Sequence, residues 1–260
     1  MSSRNAVSNS ELYTLHTIDI NSIDTDKLEY EEITNFFWWP STKLRERLFG
    51  YLNRLDVRDK IIDVGCGNAV FHPATHLIDF RDDIEHNRIV LKCDLDFDTI
   101  PVENNYFNFV HCRHTLEDIQ NPQHAFNELC RVSSRGYIET PSPLIELSKG
   151  VDAIGNYRGY IHHRYIVWSD VATNTLNFLP KYPILEHIKV DDTLAKVWNF
   201  VANNYPVYWN NYYLWDDKNP PKINVYRHGI NLDIHKDYAR LLLEAVQKSM
   251  EYTRAFISSI

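Results

Sequence analysis

Between residues 60 and 140, short apolar runs alternate with polar breaks. Lys60 to Val64, Thr75 to Ile78, Arg88 to Lys92, Phe107 to Cys112 and Gly136 to Glu139 each have strand length and β-branched or aromatic character. From Pro122 to Val132 the period changes to that of a helix, with Ala125, Phe126, Leu129 and Val132 on one face. Strands interleaved with such segments predict an α/β fold built on a mostly parallel sheet. Upstream, Leu44, Leu48, Tyr51, Leu52 and Leu55 share a helical face after Pro40, with Ser41 as cap and the apolar Phe36-Phe37-Trp38-Trp39 ahead of it. That aromatic run either staples the helix to the core or closes over a ligand as a lid. Pro141 and Pro143 stop the fifth strand, and the pattern then loosens into strand-like pieces at Tyr160 to Trp168, Thr175 to Phe178 and Lys222 to Tyr226. A helix from Lys236 to Ile257 closes the chain. The expected organisation is a polar leader and lid helix over 1–58, a ligand-binding core over 59–143, and a substrate-facing region with the remaining strands over 144–260, all in one structural domain.

Composition narrows the choice. A chain of 260 residues suits one sizeable domain, and a net charge of −8 with no basic stripe argues against nucleic acid as partner. The four cysteines, Cys66, Cys93, Cys112 and Cys130, form no CxxC pair, which argues against zinc or disulfides and for a reducing compartment. The Ser- and Asn-rich start lacks an apolar signal core, and no stretch approaches the roughly 20 apolar residues of a membrane span. A soluble cytoplasmic protein with no membrane partner is expected; oligomeric state is left open. Aromatic runs at Tyr205 to Trp209 and Tyr212 to Trp215 suit either a half-wet pocket or a core.

The chemistry concentrates where the first strand meets Gly65-Cys66-Gly67. Two glycines there allow a tight turn and close approach of backbone to ligand. A dinucleotide-binding turn asks for a third glycine at position 70, which is Val70, and Asp63 would repel a pyrophosphate while attracting an ammonium group. Asp79 ends the next strand, where a carboxylate can accept hydrogen bonds from two ribose hydroxyls. Asp94 ends the third, beside Leu95; the acid can take an adenine amino group while the leucine packs on the ring. Three strand-end acids in order suit a ligand carrying an amine, a diol and an aminopurine.

The segments Ile62 to Asn68, His76 to Phe80 and Cys93 to Pro143 resemble the class I S-adenosylmethionine-dependent methyltransferases, specifically the methyltransferase-domain type 11 group. The resemblance implies a Rossmann-like, seven-stranded, mostly parallel sheet with an antiparallel final strand, flanked by helices, and S-adenosylmethionine over the carboxyl ends of the strands. It implies Asp63, Gly65, Cys66, Gly67, Asp79, Asp94, Leu95 and Arg113 as cofactor-binding residues. Three departures stand out. Ala69 replaces the third glycine of the family turn, Pro73 falls in a link too short for a regular helix, and Leu116-Glu117-Asp118 stands where the group has Leu-Glu-His.

Transfer of a methyl group to a hydroxyl calls for alignment and usually a base. His114 follows the fourth strand; His162 and His163 lie in a segment able to fold over the pocket, and in a hairpin only one of that pair would face inward. His163 is preferred. Arg113 would meet the cofactor carboxylate or the substrate. No metal site is expected. The reading is O-methylation of a small polar or carbohydrate (glycan) acceptor; the alternative is a catalytically inactive binding or regulatory subunit, and a nicotinamide oxidoreductase is disfavoured by Asp63 and Val70.

Overall fold

The computed structural model describes residues 14–15, 46, 50, 59–81, 83, 86–152, 157–190, 196, 199–201, 203–226 and 234–259. The aromatic run at 36–39 and the apolar face of the helix after Pro40 lie outside these residues, although Glu46 and Gly50 are helical.

Five parallel strands carry the site: β2 (Ile61–Val64), β3 (His76–Asp79), β4 (Ile89–Lys92), β5 (Phe109–Arg113) and β6 (Gly136–Pro141). With β10 (Asn210–Trp215), antiparallel to β6, they form one sheet in the order β10-β6-β5-β2-β3-β4. The central sheet therefore has six strands among the described residues rather than seven. A separate three-stranded sheet follows, in which β7 (Tyr165–Asp170) pairs antiparallel with β8 (Thr175–Pro180) and β11 (Lys222–Val225) pairs parallel with β8. Side-chain bonds hold β7 to the large sheet: the Ser169 amide donates to Asn211 Oδ1 at 2.8 Å and the Ser169 hydroxyl to the Tyr212 carbonyl at 2.5 Å. A two-residue strand β1 (Thr14–Leu15) pairs in parallel with β9 (Lys189–Val190), so the leader is tied down at that point.

Helices cover both faces. Helix α1 (Pro122–Val132) starts where expected, with the Asn121 side chain accepting from the His124 amide and Pro122 in the first turn. Its Ala125, Phe126, Leu129 and Val132 are buried, and Phe126 meets Tyr213 and Trp215. Helix α3 (Ile234–Ser259) lies on the opposite face, where Phe256 stacks on Tyr137 and Tyr212. Alternate residues of β10 thus serve the two faces, as strand pleating requires. Tyr208, Tyr212, Tyr213 and Trp215 are core residues, so these aromatic runs pack the interior. The short helix α2 (Pro143–Leu147) follows β6, capped by Ser142; Pro141 is the last residue of the strand and Pro143 opens the helix. No helix among the described residues is long and apolar enough to cross a membrane.

Candidate active site

Register across the parallel strands creates the site. Asp63 of β2 stands opposite His111 of β5, and His111 opposite Tyr137 of β6; two residues further along, Arg113 stands opposite Glu139. Neighbours in register share a face, so this row becomes a polar stripe inside the fold. His111 Nδ1–H donates to Asp63 Oδ1 at 2.7 Å, and the Phe71 amide donates to Asp63 Oδ2 at 2.7 Å. The His111 ring stacks between Phe71 and Tyr137. Its Nε2 is buried and has no hydrogen-bond partner among the described residues.

Between β2 and β3 the chain makes turns rather than a helix, in keeping with Pro73. Gly65 and Gly67 have φ of +66° and +47°, a region in which side chains are strained. A Cβ on Gly65 would also overlap the Thr115 side chain, so the β2 and β5 turns pack directly on each other. The Gly67 amide donates to Asp79 Oδ2 at 3.0 Å and the Arg81 amide to Asp79 Oδ1 at 3.1 Å. Each carboxylate oxygen keeps a lone pair for a further donor.

These turns open onto a cavity of about 530 Å³ at the carboxyl ends of the strands, lined by Gly65, Gly67, Asp79, Phe80, Asp94 and Leu95 on one side and by His114, Asp118, His162 and Arg164 on the other. A second lobe of about 540 Å³ shares Gly65, Gly67, Arg81 and His114 and adds Asp63, Cys66, His111 and Arg113. Each lobe falls within the usual size of small-molecule sites. Every residue expected to hold the cofactor lines one of the two. Phe80 and His111 were not among them. Phe80 is 68% exposed, a large apolar ring beside the Asp79 carboxylate, and its signal in the sequence is only that adjacency. His111 reads in the sequence as an interior strand position, and only the register shows its link to Asp63.

The three candidate histidines separate. His114 adopts a left-handed backbone, φ +48°, uncommon outside glycine and concentrated at functional sites. Its amide donates to the Glu139 carbonyl, and its ring lies 3.5 Å from Glu117 Oε1 and 3.7 Å from Glu139 Oε1. Burial opposes charging of this imidazole, yet the two carboxylates outweigh it and raise the ring from 6.5 to about 9. Glu139 also takes Arg113 at 2.9 Å, Asn210 at 2.5 Å and the Tyr137 hydroxyl at 2.5 Å. Burial works against its charge too, but Arg113 and His114 hold the carboxyl down at about 2. Arg113 therefore spends its charge on Glu139 while lining the second lobe.

His162 and His163 lie in a turn before β7, not in a hairpin, so strand alternation does not govern them. The His162 side chain is 62% exposed, faces the first lobe, and stands 4.0 Å from Asp118 Oδ2. His163 is buried, donates from Nδ1 to Glu146 Oε1 at 2.6 Å, and does not line that lobe. Burial and the nearby Glu117 raise the Asp118 carboxyl. The thiol of Cys66 is pushed up to about 11 by burial and by Asp63 and Asp79, which leaves it inert as a nucleophile.

Residues 39–153 match the family model of a methyltransferase domain. The match covers less than half of the chain, and the parallel strand order and the glycine turn agree with the Rossmann-like fold of such a domain. Solved structures with similarity include an S-adenosylmethionine-dependent methyltransferase from Aquifex aeolicus (19% identity, 38% of this chain and 64% of that one, TM-score 0.31). One from Thermotoga maritima shares 16% identity over 39% of this chain and 53% of that one, TM-score 0.33. One from Mesorhizobium loti shares 14% over 47% and 57%, TM-score 0.30. The alignments thus span only about half to two thirds of these proteins. No curated protein matches the chain.

Such a domain implies S-adenosylmethionine, and the cleft's donor set fits it. The glycine turn admits backbone contact, Asp79 and Asp94 offer acceptors on one lobe, and Asp63 and His111 line the other, where His111 Nε2 is buried without a hydrogen-bond partner among the described residues.

Proposed function

We propose that the chain is an S-adenosylmethionine-dependent methyltransferase acting on an oxygen of a small polar acceptor, carbohydrate included. The observation that carries this reading is the convergence of the Gly65–Gly67 turn, Asp79 and the Asp94–Leu95 pair on one cavity. In it, Asp79 would take the ribose hydroxyls, Asp94 the adenine amino group, and Phe80 and Leu95 the faces of the purine. The amino-acid end would lie in the second lobe, where Asp63, backed by His111, supplies negative charge and Arg113 and the turn amides border the site. When bound, the cofactor supplies an electrophilic methyl group.

The chain's own groups divide the remaining work. His114, charged at neutral pH, cannot accept a proton there; it orients and donates. Asp118 and His162 face the same lobe and border the place where the acceptor would sit. The net charge of −8 favours a small acceptor over a polynucleotide. A second reading, an inactive binding subunit, draws on the charged His114 and on His163 being tied to Glu146. A methyl-release assay over sugars, phenols and amines separates the two. Turnover with any acceptor removes the inactive reading, and its absence across the panel in a chain that binds the cofactor favours it.

A further inference from the structure

We propose that Asp118, His162 and His163 form a binding site for a first-row transition-metal dication at the acceptor side of the cleft. One ligand atom from each of the three lies within 4.8 Å of the other two. Donors around a dication at about 2.1 Å stand roughly 3–4 Å apart, so closing the set needs a shift of about 1 Å. The exposed His162 side chain is free to make it.

The supporting framework is already built. His163 gives Nδ1–H to Glu146, which leaves Nε2 as the ligating nitrogen. A carboxylate behind a ligating imidazole is the usual device for fixing its tautomer and raising its basicity. Glu146 is held in turn by Lys181 Nζ at 2.7 Å, and Lys181 also donates to the Tyr160 carbonyl. The two backbone segments that carry the donors are stitched together. The Arg164 amide donates to the Glu117 carbonyl at 2.8 Å, and Arg164 Nε to the Asp118 carbonyl at 3.0 Å. Asp118 Oδ1 is buried and accepts no hydrogen bond among the described residues, an unmet acceptor that a cation would satisfy.

Chemistry selects the metal. Two imidazoles and one carboxylate suit Mn, Fe, Co or Zn rather than the all-oxygen preference of calcium and magnesium. Glu117, 1% exposed and ion-paired with His114 at 3.5 Å, precedes Asp118 and adds carboxylate charge on that side. Three protein donors leave open positions, and Asp118 and His162 line the cofactor cavity. Resting on the methyltransferase reading, those positions would take two adjacent oxygens of the acceptor, narrowing the acceptor to a chelating diol or hydroxy-acid.

Titration of the metal-stripped full chain with Co²⁺, read by visible absorption and calorimetry, tests the site without reference to turnover. The expected result is one equivalent bound, with affinity at least tenfold weaker in both Asp118→Asn and His162→Ala. In Glu146→Gln the loss should be about tenfold, with melting temperatures of the metal-free variants unchanged for the first two. Absence of stoichiometric binding, or equal affinity in those variants, overturns the proposal. S-adenosylhomocysteine is titrated in parallel. If it binds and Co²⁺ does not, the metal site falls alone; if Co²⁺ binds through these residues and the nucleoside does not, the metal site stands and the transferase reading falls.

Discussion

Two groups of histidines and carboxylates flank the same cleft, and they differ in how far they are buried. The inner group, Arg113, His114, Glu117 and Glu139, lies where β5 and β6 end; both glutamates are about 1% exposed, and Glu139 is met by Arg113, Tyr137 and Asn210. The outer group, Asp118, His162 and His163, lies where a loop meets a turn, with one imidazole in solvent and one carboxylate oxygen unmet. Charges buried beside one another as ion pairs are positioned before any ligand arrives, whereas a half-exposed set can take up a ligand. The inner group positions and the outer group receives.

The largest effect should come from opening the inner group. Glu139→Ala strands Arg113 in the interior, and breaking a buried pair in this way costs about 3–5 kcal/mol of stability in denaturant unfolding. A loss below about 1 kcal/mol would show that the network is not a closed unit. Asp79→Ala comes next, weakening S-adenosylhomocysteine binding by about 1–3 kcal/mol in calorimetry. Unchanged affinity would place the ribose elsewhere.

Titration sharpens the comparison further. His114 is raised from 6.5 to about 9, so its contribution to stability is complete below pH 6.5 and is lost as pH rises through about 9. Glu139 is lowered from 4.5 to about 2, so its contribution is complete above pH 4.5 and is lost as pH falls through about 2. The inner group therefore stabilises most between about pH 4.5 and 6.5. His114→Gln should flatten the alkaline limb of unfolding free energy against pH; an unchanged limb would assign that slope to another group. The smallest effect belongs to the outer group. His162→Ala should change stability by no more than about 0.5 kcal/mol, as exposed positions do.

How much of this was legible beforehand follows from what kind of signal each element leaves. Strands β2 and β3 show in the sequence because they are buried and mostly apolar, and they end at the Gly65 turn and on Asp79, the glycine and the acid that a ligand-facing turn needs. Helix α1 shows to the residue, because Asn121, Pro122 and a clean apolar face mark it. Strand β10 does not. Asn210-Asn211-Tyr212-Tyr213-Leu214-Trp215 has neither alternation nor an unbroken apolar run, since its asparagines are buried by bonding to Glu139 and Ser169. The fold class and the glycine turn with Asp79, Asp94 and Leu95 were readable as local motifs, whereas Phe80 and His111 at the cleft were not. The pairing of Asp63 with His111, and of His163 with Glu146, was not, because each depends on contacts 48 and 17 residues apart.

The most direct measurement is calorimetric titration of the full chain with S-adenosylhomocysteine, beside Asp79→Ala. One site that weakens about tenfold in the variant is the predicted result. The absence of both heat and a thermal shift with the intact chain would contradict the assignment of this cleft to a methyl donor.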